Sequence, residues 1–381
     1  MTRCNAAATG VASLLFAAGV CSQPQPLDGA AAARTTEPGE ATTPFGLVVS
    51  WRQAQHAADT DPLTRLAYTF STDGKLVGVR GGTRIHVLGS GDGESLRTPV
   101  SPIRETAYSL AVSPTGDVAI GRVGRIEVHR ASTRRTATYR CIDACGPVVA
   151  VAFSPDGRLL AYQGARGLRE RQRGFGVAVV LDARTGRPVV QLDAIAARAL
   201  VAFSADGERL LTANVTAMDD TELFGLRAWR TADWTLVRNV LGVGQRWRAV
   251  GALGREELVA AYERDGRLEI RALETDAVIW SVPLIAPSLE MQTGGGRAAR
   301  LEQVEFAPDG TFVVSYESSG DRAPSVGGSG TIVIRRASDG VVEAMYDVAD
   351  LTDLRIAPGG RAFVYGTRSG AVQTVMARVP L

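Results

Sequence analysis

Cys141 and Cys145, in CIDAC, form the tightest pair of reactive side chains in this sequence. Thiols spaced this way in a connecting loop are expected to oxidise to a disulfide in any compartment that permits it, since no further zinc ligands stand nearby. Redox-active pairs usually keep two residues between their cysteines, whereas three intervene here. Closing so short a loop contributes about 2 kcal/mol on the chain-entropy account. The three histidines, His56, His86 and His129, lie beside no cluster of carboxylates or thiols at metal-ligand spacing. Nucleophile elbows, phosphate loops and calcium loops are absent, and the Gly-rich GSGDG (Gly89 to Gly93) and GGSG (Gly327 to Gly330) precede no helix that could aim amides at a phosphate. No catalytic residue, metal or cofactor is therefore called for.

Positioning elements follow from a repeated phrase. VAVAFSPDGRLLAYQ, Val149 to Gln163, contains an alternating apolar strand, a tight turn and a second strand. The turn recurs as STDG, SPTG, SPDG, SADG, APDG and APGG, ending at Gly74, Gly116, Gly157, Gly207, Gly310 and Gly360, and a degraded copy at Gly254 fills the one long gap. Pro at the second turn position and Gly at the fourth suit a sharp reversal. Each copy reads as four short strands; the sixth runs LEQVEF, TFVVSYE, TIVIRR and VVEAMYDV. Antiparallel four-stranded units at this period predict an all-β, seven-bladed β-propeller. The seventh copy supplies only three strands, so the strand at 45–51 (FGLVVSW) is expected to pair with AVQTVMARV and close the last blade.

VVAVAFSPDGRLLAY followed by VAVVLDARTGRPVVQL resembles the WD40 repeats of bacterial proteins, over residues 45–381. The resemblance implies a propeller used for binding. No repeat carries the family's Gly-His pair, and the nearest relative of its Trp-Asp dipeptide is Trp229 followed by Arg230. The SPDG turn is shared with the propeller repeats of TolB-like periplasmic proteins.

Just before each turn the residue is bulky (Phe70, Val112, Phe153, Phe203, Leu253, Phe306, Ile356), and the residue preceding that is mostly small (Thr69, Ala111, Ala152, Ala202, Ala252). Alternate residues face opposite sides of a strand, so each blade should turn a bulky face to one neighbour and a small face to the other. Glu305 and Arg355 occupy the small position in successive copies and are expected to form a structural ion pair; a catalytic carboxylate near the channel is the alternative.

Ahead of the repeats, residues 1–21 read as an export signal: Arg3, an apolar run from Ala6 to Val20, then Cys21. FAAGVC resembles the lipobox of bacterial lipoproteins, in which the Cys is acylated, although Ala18 and Val20 replace the Leu and small residue of that pattern. Lipidation of Cys21, signal cleavage near Gly19 and an unprocessed anchor all remain open. Residues 22–44 are rich in Pro, Ala, Thr and Gly and read as a disordered linker.

Charge is nearly balanced, with Lys+Arg 42 against Asp+Glu 40, so nucleic acid is not an expected partner and membrane contact is expected only through an N-terminal lipid. Long second-to-third-strand loops occur in three copies: Gly164 to Phe175, Asn214 to Phe224 and Ser318 to Gly330. The first carries Arg166, Arg169, Arg171, Arg173 and Phe175, the second Met218, Asp219, Asp220 and Phe224. Strand direction puts all three on one face, where repeat proteins usually bind. The expected function is therefore an exported, non-catalytic scaffold for another protein or an envelope component. A lactonase-like or quinoprotein-like enzyme with its site at the channel is the alternative.

Overall fold

A computed structural model describes residues 48–54, 67–81, 84–95, 106–142, 145–164, 177–193, 201–204, 206–218, 221–242, 249–253, 257–272, 275, 277–285, 299–307, 310–319, 329–349, 351–358, 362–367 and 373–378. The chain begins with strand β1 (Val48–Ala54), then a three-stranded sheet of β2 (Ala67–Phe70), β3 (Leu76–Gly81) and β4 (Arg84–Gly89). Five four-stranded sheets follow in sequence. They are β5 (Ser109–Val112) with β6 (Val118–Gly121), β7 (Arg125–His129) and β8 (Thr136–Arg140); then β9 (Val148–Phe153), β10 (Leu159–Gly164), β11 (Val177–Asp182) and β12 (Pro188–Asp193). Next come β13 (Val201–Phe203), β14 (Arg209–Met218), β15 (Thr221–Arg230) and β16 (Leu236–Gly242), and β17 (Ala249–Leu253), β18 (Glu257–Arg264), β19 (Arg267–Ala272) and β20 (Val278–Pro283). The fifth joins β21 (Ala299–Phe306), β22 (Phe312–Ser319), β23 (Ser329–Arg336) and β24 (Val342–Ala349). The last sheet runs β25 (Leu351–Ile356), β26 (Ala362–Thr367), β27 (Gln373–Arg378) and, from the other end of the chain, β1.

This is an all-β propeller of antiparallel four-stranded blades, but it has six such blades and not the seven the repeat count predicts. The shortfall lies at β2–β4, which has three strands among the described residues. After β4 the chain makes the turn seen in the complete blades, with Gly93 N donating to Gly89 O and Ser90 N to Lys75 O as Gly186 N does to Asp182 O and Ala183 N to Arg158 O. A single bridge, Leu88 to Ser95, follows before residues 96–105, which lie outside the described residues. The N-terminal strand pairs with β27 from Val48↔Arg378 to Ala54↔Gln373, with a bulge between Val49 and Trp51, a few residues beyond the expected 45–51. Phe45 to Leu47 lie outside the described residues.

The recurrent turn has a hydrogen-bonding logic. Ser154 donates to Asp156 Oδ1 (2.6 Å) and accepts from Leu159 N (2.9 Å), while Asp156 Oδ1 accepts from Arg158 N (3.0 Å). Ser71 with Asp73 and Ser204 with Asp206 repeat the arrangement. These local bonds hold the backbone in the turn and satisfy groups the ladder cannot reach. Turns of successive sheets also touch: a methyl at Gly157 would meet Pro114 Cδ at 3.6 Å, and one at Gly207 would meet Pro155 Cδ at 3.5 Å. Pro and Gly thus form an interlocking collar on one face of the propeller.

Between blades, bulky meets small. Phe153 packs with Ala111 and Ala119 of the preceding blade, and Phe203 packs against Ala152, Ala150 and Ala161. A second seam device lies near the perimeter. Tyr139 of β8 donates to Ala183 O (3.0 Å) in the β11–β12 turn, and Trp280 of β20 donates through Nε1 to Ala337 O (2.7 Å) in the β23–β24 turn. Each ring is covered by a left-handed turn glycine, Gly186 (φ 70°) or Gly340 (φ 74°), where an added Cβ would approach the ring to 2.2 Å or 2.8 Å. At the corresponding turn position of the β13–β16 blade stands Trp234, itself at φ 59°, against the smaller Val190 of β12. Side-chain bulk has changed sides while the seam stays filled.

Gly186→Ala and Gly340→Ala, which combine ring overlap with an unfavourable φ, are expected to destabilise the protein by about 2 to 4 kcal/mol in chemical denaturation. Gly91→Ala, with nothing within 4 Å, serves as the near-neutral control.

Candidate functional site

Inner strands bring charged side chains together at the seam between β21 and β25. Glu305 accepts a hydrogen bond from Arg355 Nη1, and both side chains are about one-fifth exposed. Arg355 Nη2 lies 3.6 Å from Asp353 Oδ1, and Gln303 Nε2 donates to Asp353 Oδ1 (3.2 Å) and to Leu354 O (2.7 Å). The other oxygen of Asp353 accepts from Tyr68 N (2.9 Å), tying the last blade to the three-stranded sheet. Burial pushes the Glu305 carboxyl above its ordinary range, with Arg355 opposing and Asp353 reinforcing the shift. Asp353 and Gln303 escape the sequence pattern. Asp353 could have been found, since it stands two residues before Arg355 and shares its face.

A more deeply buried cluster lies in the seam between the β17–β20 and β21–β24 blades. Arg335 (1% exposed) pairs with Glu317 (0%), with Nη2 to Oε2 at 3.2 Å and a shorter contact from Nη1 to Oε1. Ser315 Oγ accepts from Arg335 Nη1 (2.8 Å) and donates to Glu317 Oε1, while Ile285 N donates to Glu317 Oε2 (2.6 Å). Desolvating two charges is unfavourable, and these additional bonds are what make it tolerable. In sequence, Glu317 and Arg335 look like ordinary strand-end charges, so nothing there marked them.

Near the β6–β7 turn, Glu127 bridges Arg122 and Arg125, each at 3.0 Å. Burial pushes the Glu127 carboxyl up, but the two guanidiniums outweigh it and hold the group below its ordinary range. His129 Nδ1 lies 2.9 Å from Thr136 Oγ1, and burial lowers the imidazole's basicity. His86 lies in β4, and His56 is outside the described residues. Among the described residues no three His, Cys, Asp or Glu side chains are grouped to hold a metal ion.

Cys141 and Cys145 are joined as a disulfide with Cα atoms 5.6 Å apart. Its loop is docked: Ile142 N donates to Tyr162 OH (3.1 Å), Cys141 N to Gly124 O (3.0 Å), and Gly164 lies so close that an added Cβ would meet Cys145 Sγ at 2.7 Å. Of the expected binding residues, Arg166, Arg169, Arg171, Arg173, Phe175, Asp219 and Asp220 lie outside the described residues, as does Cys21. Met218 and Phe224 belong to β14 and β15. The segment expected as a loop from Asn214 to Phe224 is largely a hairpin, its pairing continuing from Ala213↔Leu226 to Met218↔Thr221. The alternation in NVTAM and TELFGL extends the ladder where polarity alone suggested irregular chain.

No protein-family model matches the chain, and no curated protein matches it.

Arg335→Met would strand Glu317 in the seam and is expected to destabilise the fold by about 3 to 5 kcal/mol. Glu305→Gln tests the raised carboxyl. A raised folded-state pKa favours folding below the unfolded value and loses that contribution as pH rises through the folded one. The Gln variant should therefore gain on the wild type as pH rises from the acidic side to neutrality, read as unfolding midpoints across that range.

Proposed function

We propose that this protein is a non-catalytic WD40-like propeller of bacterial type, exported through residues 1–21, which binds another protein or an envelope component through the face opposite the Pro–Gly turns. The propeller fold itself supports scaffold and enzyme roles alike. The observation that carries the binding reading is the β14–β15 hairpin. Its ladder runs on to Met218↔Thr221, whereas β13 pairs only as far as Thr212, so among the described sheets this blade alone has a central hairpin of two ten-residue strands, extending well past its inner strand. Antiparallel order puts that arm on the same face as the β10–β11 and β22–β23 connections. On the opposite face, among the described residues, the turns at Gly74, Gly157 and Gly207 lie against Pro358, Pro114 and Pro155 of neighbouring sheets and offer a partner little relief.

The inner-strand charges support a structural role over a catalytic one. Glu305 and Asp353 are already engaged by Arg355, Gln303 and the Tyr68 amide, leaving their orientation fixed by protein groups. Cys21 would supply the only membrane attachment, as a lipidated N-terminus after signal removal.

Affinity capture from an envelope extract, using the intact chain beside variants shortened within 165–174 and at the 218–221 hairpin tip, tests the reading. Partners retained by the intact chain should be lost from at least one variant whose unfolding midpoint is unchanged; an identical captured set in all three would refute it. In a bacterial host with lipoprotein processing, labelled fatty acid should enter the wild type and not Cys21→Ser.

A further inference from the structure

The seam between the β9–β12 and β13–β16 blades contains a polar group without a partner. Gln163, in β10, is 0% exposed, and among the described residues neither its carboxamide oxygen nor its nitrogen has a hydrogen-bond partner. Its ladder neighbours are Ala150 on β9 and Ala178 on β11, and Ala161 and Ala152 pack into the same seam. These side chains end at Cβ, so the apolar floor beneath the carboxamide is shallow.

From the facing blade, Leu210 of β14 enters the seam. Thr212, two residues on, shares its face and is also 0% exposed. Thr212 Oγ1 accepts from Trp229 Nε1 at 3.1 Å, which occupies one lone pair and leaves its O–H available to donate. Counting from the paired turns, Phe153↔Leu160 and Phe203↔Leu210, Thr212 and Gln163 stand at adjacent levels of neighbouring blades. A buried carboxamide bonded at neither end is strongly unfavourable, and internal waters characteristically occupy sites offering two or more otherwise unmet polar groups.

We propose that this seam is a binding site for a buried water molecule that bridges the Gln163 carboxamide and the Thr212 hydroxyl. The water accepts from the Thr212 O–H and donates to Gln163 Oε1, joining two blades through a polar contact at a seam otherwise filled by aliphatic side chains and the rings of Phe203, Trp229 and Trp234. Trp229 positions the donor of this bridge by fixing the Thr212 rotamer. The inference is independent of what the loop face binds.

A crystal structure of the full chain resolving ordered solvent is the direct test. It should show a water within about 2.7 to 3.2 Å of both a Gln163 carboxamide atom and Thr212 Oγ1. A carboxamide bonded directly to protein groups, or a dry seam, would overturn the proposal. Denaturation of Gln163→Leu, Thr212→Val and the double variant gives a second reading. With a bridging water, Thr212→Val shifts the midpoint less in the Gln163→Leu background than in the wild type, because only the Trp229 bond remains to be lost. Equal shifts in the two backgrounds would overturn it.

Discussion

Every blade has two faces that must leave water, and each can do so only against the next blade. This mutual dependence sets the rest of the structure. Flat sheets with identical faces would pack poorly, so the inner strands put bulk on one face and small residues on the other, as at Phe153 against Ala111 and Ala119. At the perimeter the same requirement is met by an aromatic ring beneath a turn glycine, or, where the outer strand carries Val190, by Trp234 supplied from the turn. The left-handed φ of Trp234 belongs to the turn itself, because exposed Arg134 adopts the same φ (58°) at the same position of the β7–β8 turn; what Trp234 adds there is bulk.

Polar groups at the seams obey a related rule, since each needs a partner supplied across the gap or along the strand. Ser109 Oγ donates to Val148 O (2.8 Å) and Glu263 Oε1 accepts from Leu301 N (3.3 Å), so side chains of one blade satisfy inner-strand backbone of the next. Asp353 does the same for Tyr68. Glu317 and Arg335 carry the principle to full burial. These contacts give the propeller directional order in addition to apolar burial. They leave the face bearing the β14–β15 hairpin free to vary without disturbing the packing, which is why a binding role is best sought there.

Much of this was legible in the sequence, for identifiable reasons. The SPDG turns advertise themselves because Ser, Asp and Gly each perform a local task, and the alternation before them marks the inner strands. The Glu305–Arg355 contact could be read from equivalent positions in successive repeats, and the Cys141–Cys145 bond from short spacing. The blade count was overestimated because a turn motif announces a hairpin, not a complete four-stranded sheet; among the described residues the first sheet consists of β2, β3 and β4 alone. The buried Ser315–Glu317–Arg335 cluster stayed hidden because its members come from two strands whose register sequence alone does not fix. Likewise the Tyr139–Gly186 and Trp280–Gly340 contacts join separate repeats, and within-repeat patterns are silent about them.

Reciprocal exchange at the Trp280–Gly340 seam tests the complementarity of the blades most directly. Unfolding free energies would be measured for Trp280→Gly, Gly340→Trp and the two together. If each seam needs one large and one small partner on either side, as the Val190–Trp234 seam indicates, the double variant will be more stable than the poorer single and its loss will be well below the sum of the two. Losses that simply add would contradict the account, because the seam would then be indifferent to which blade supplies the bulk.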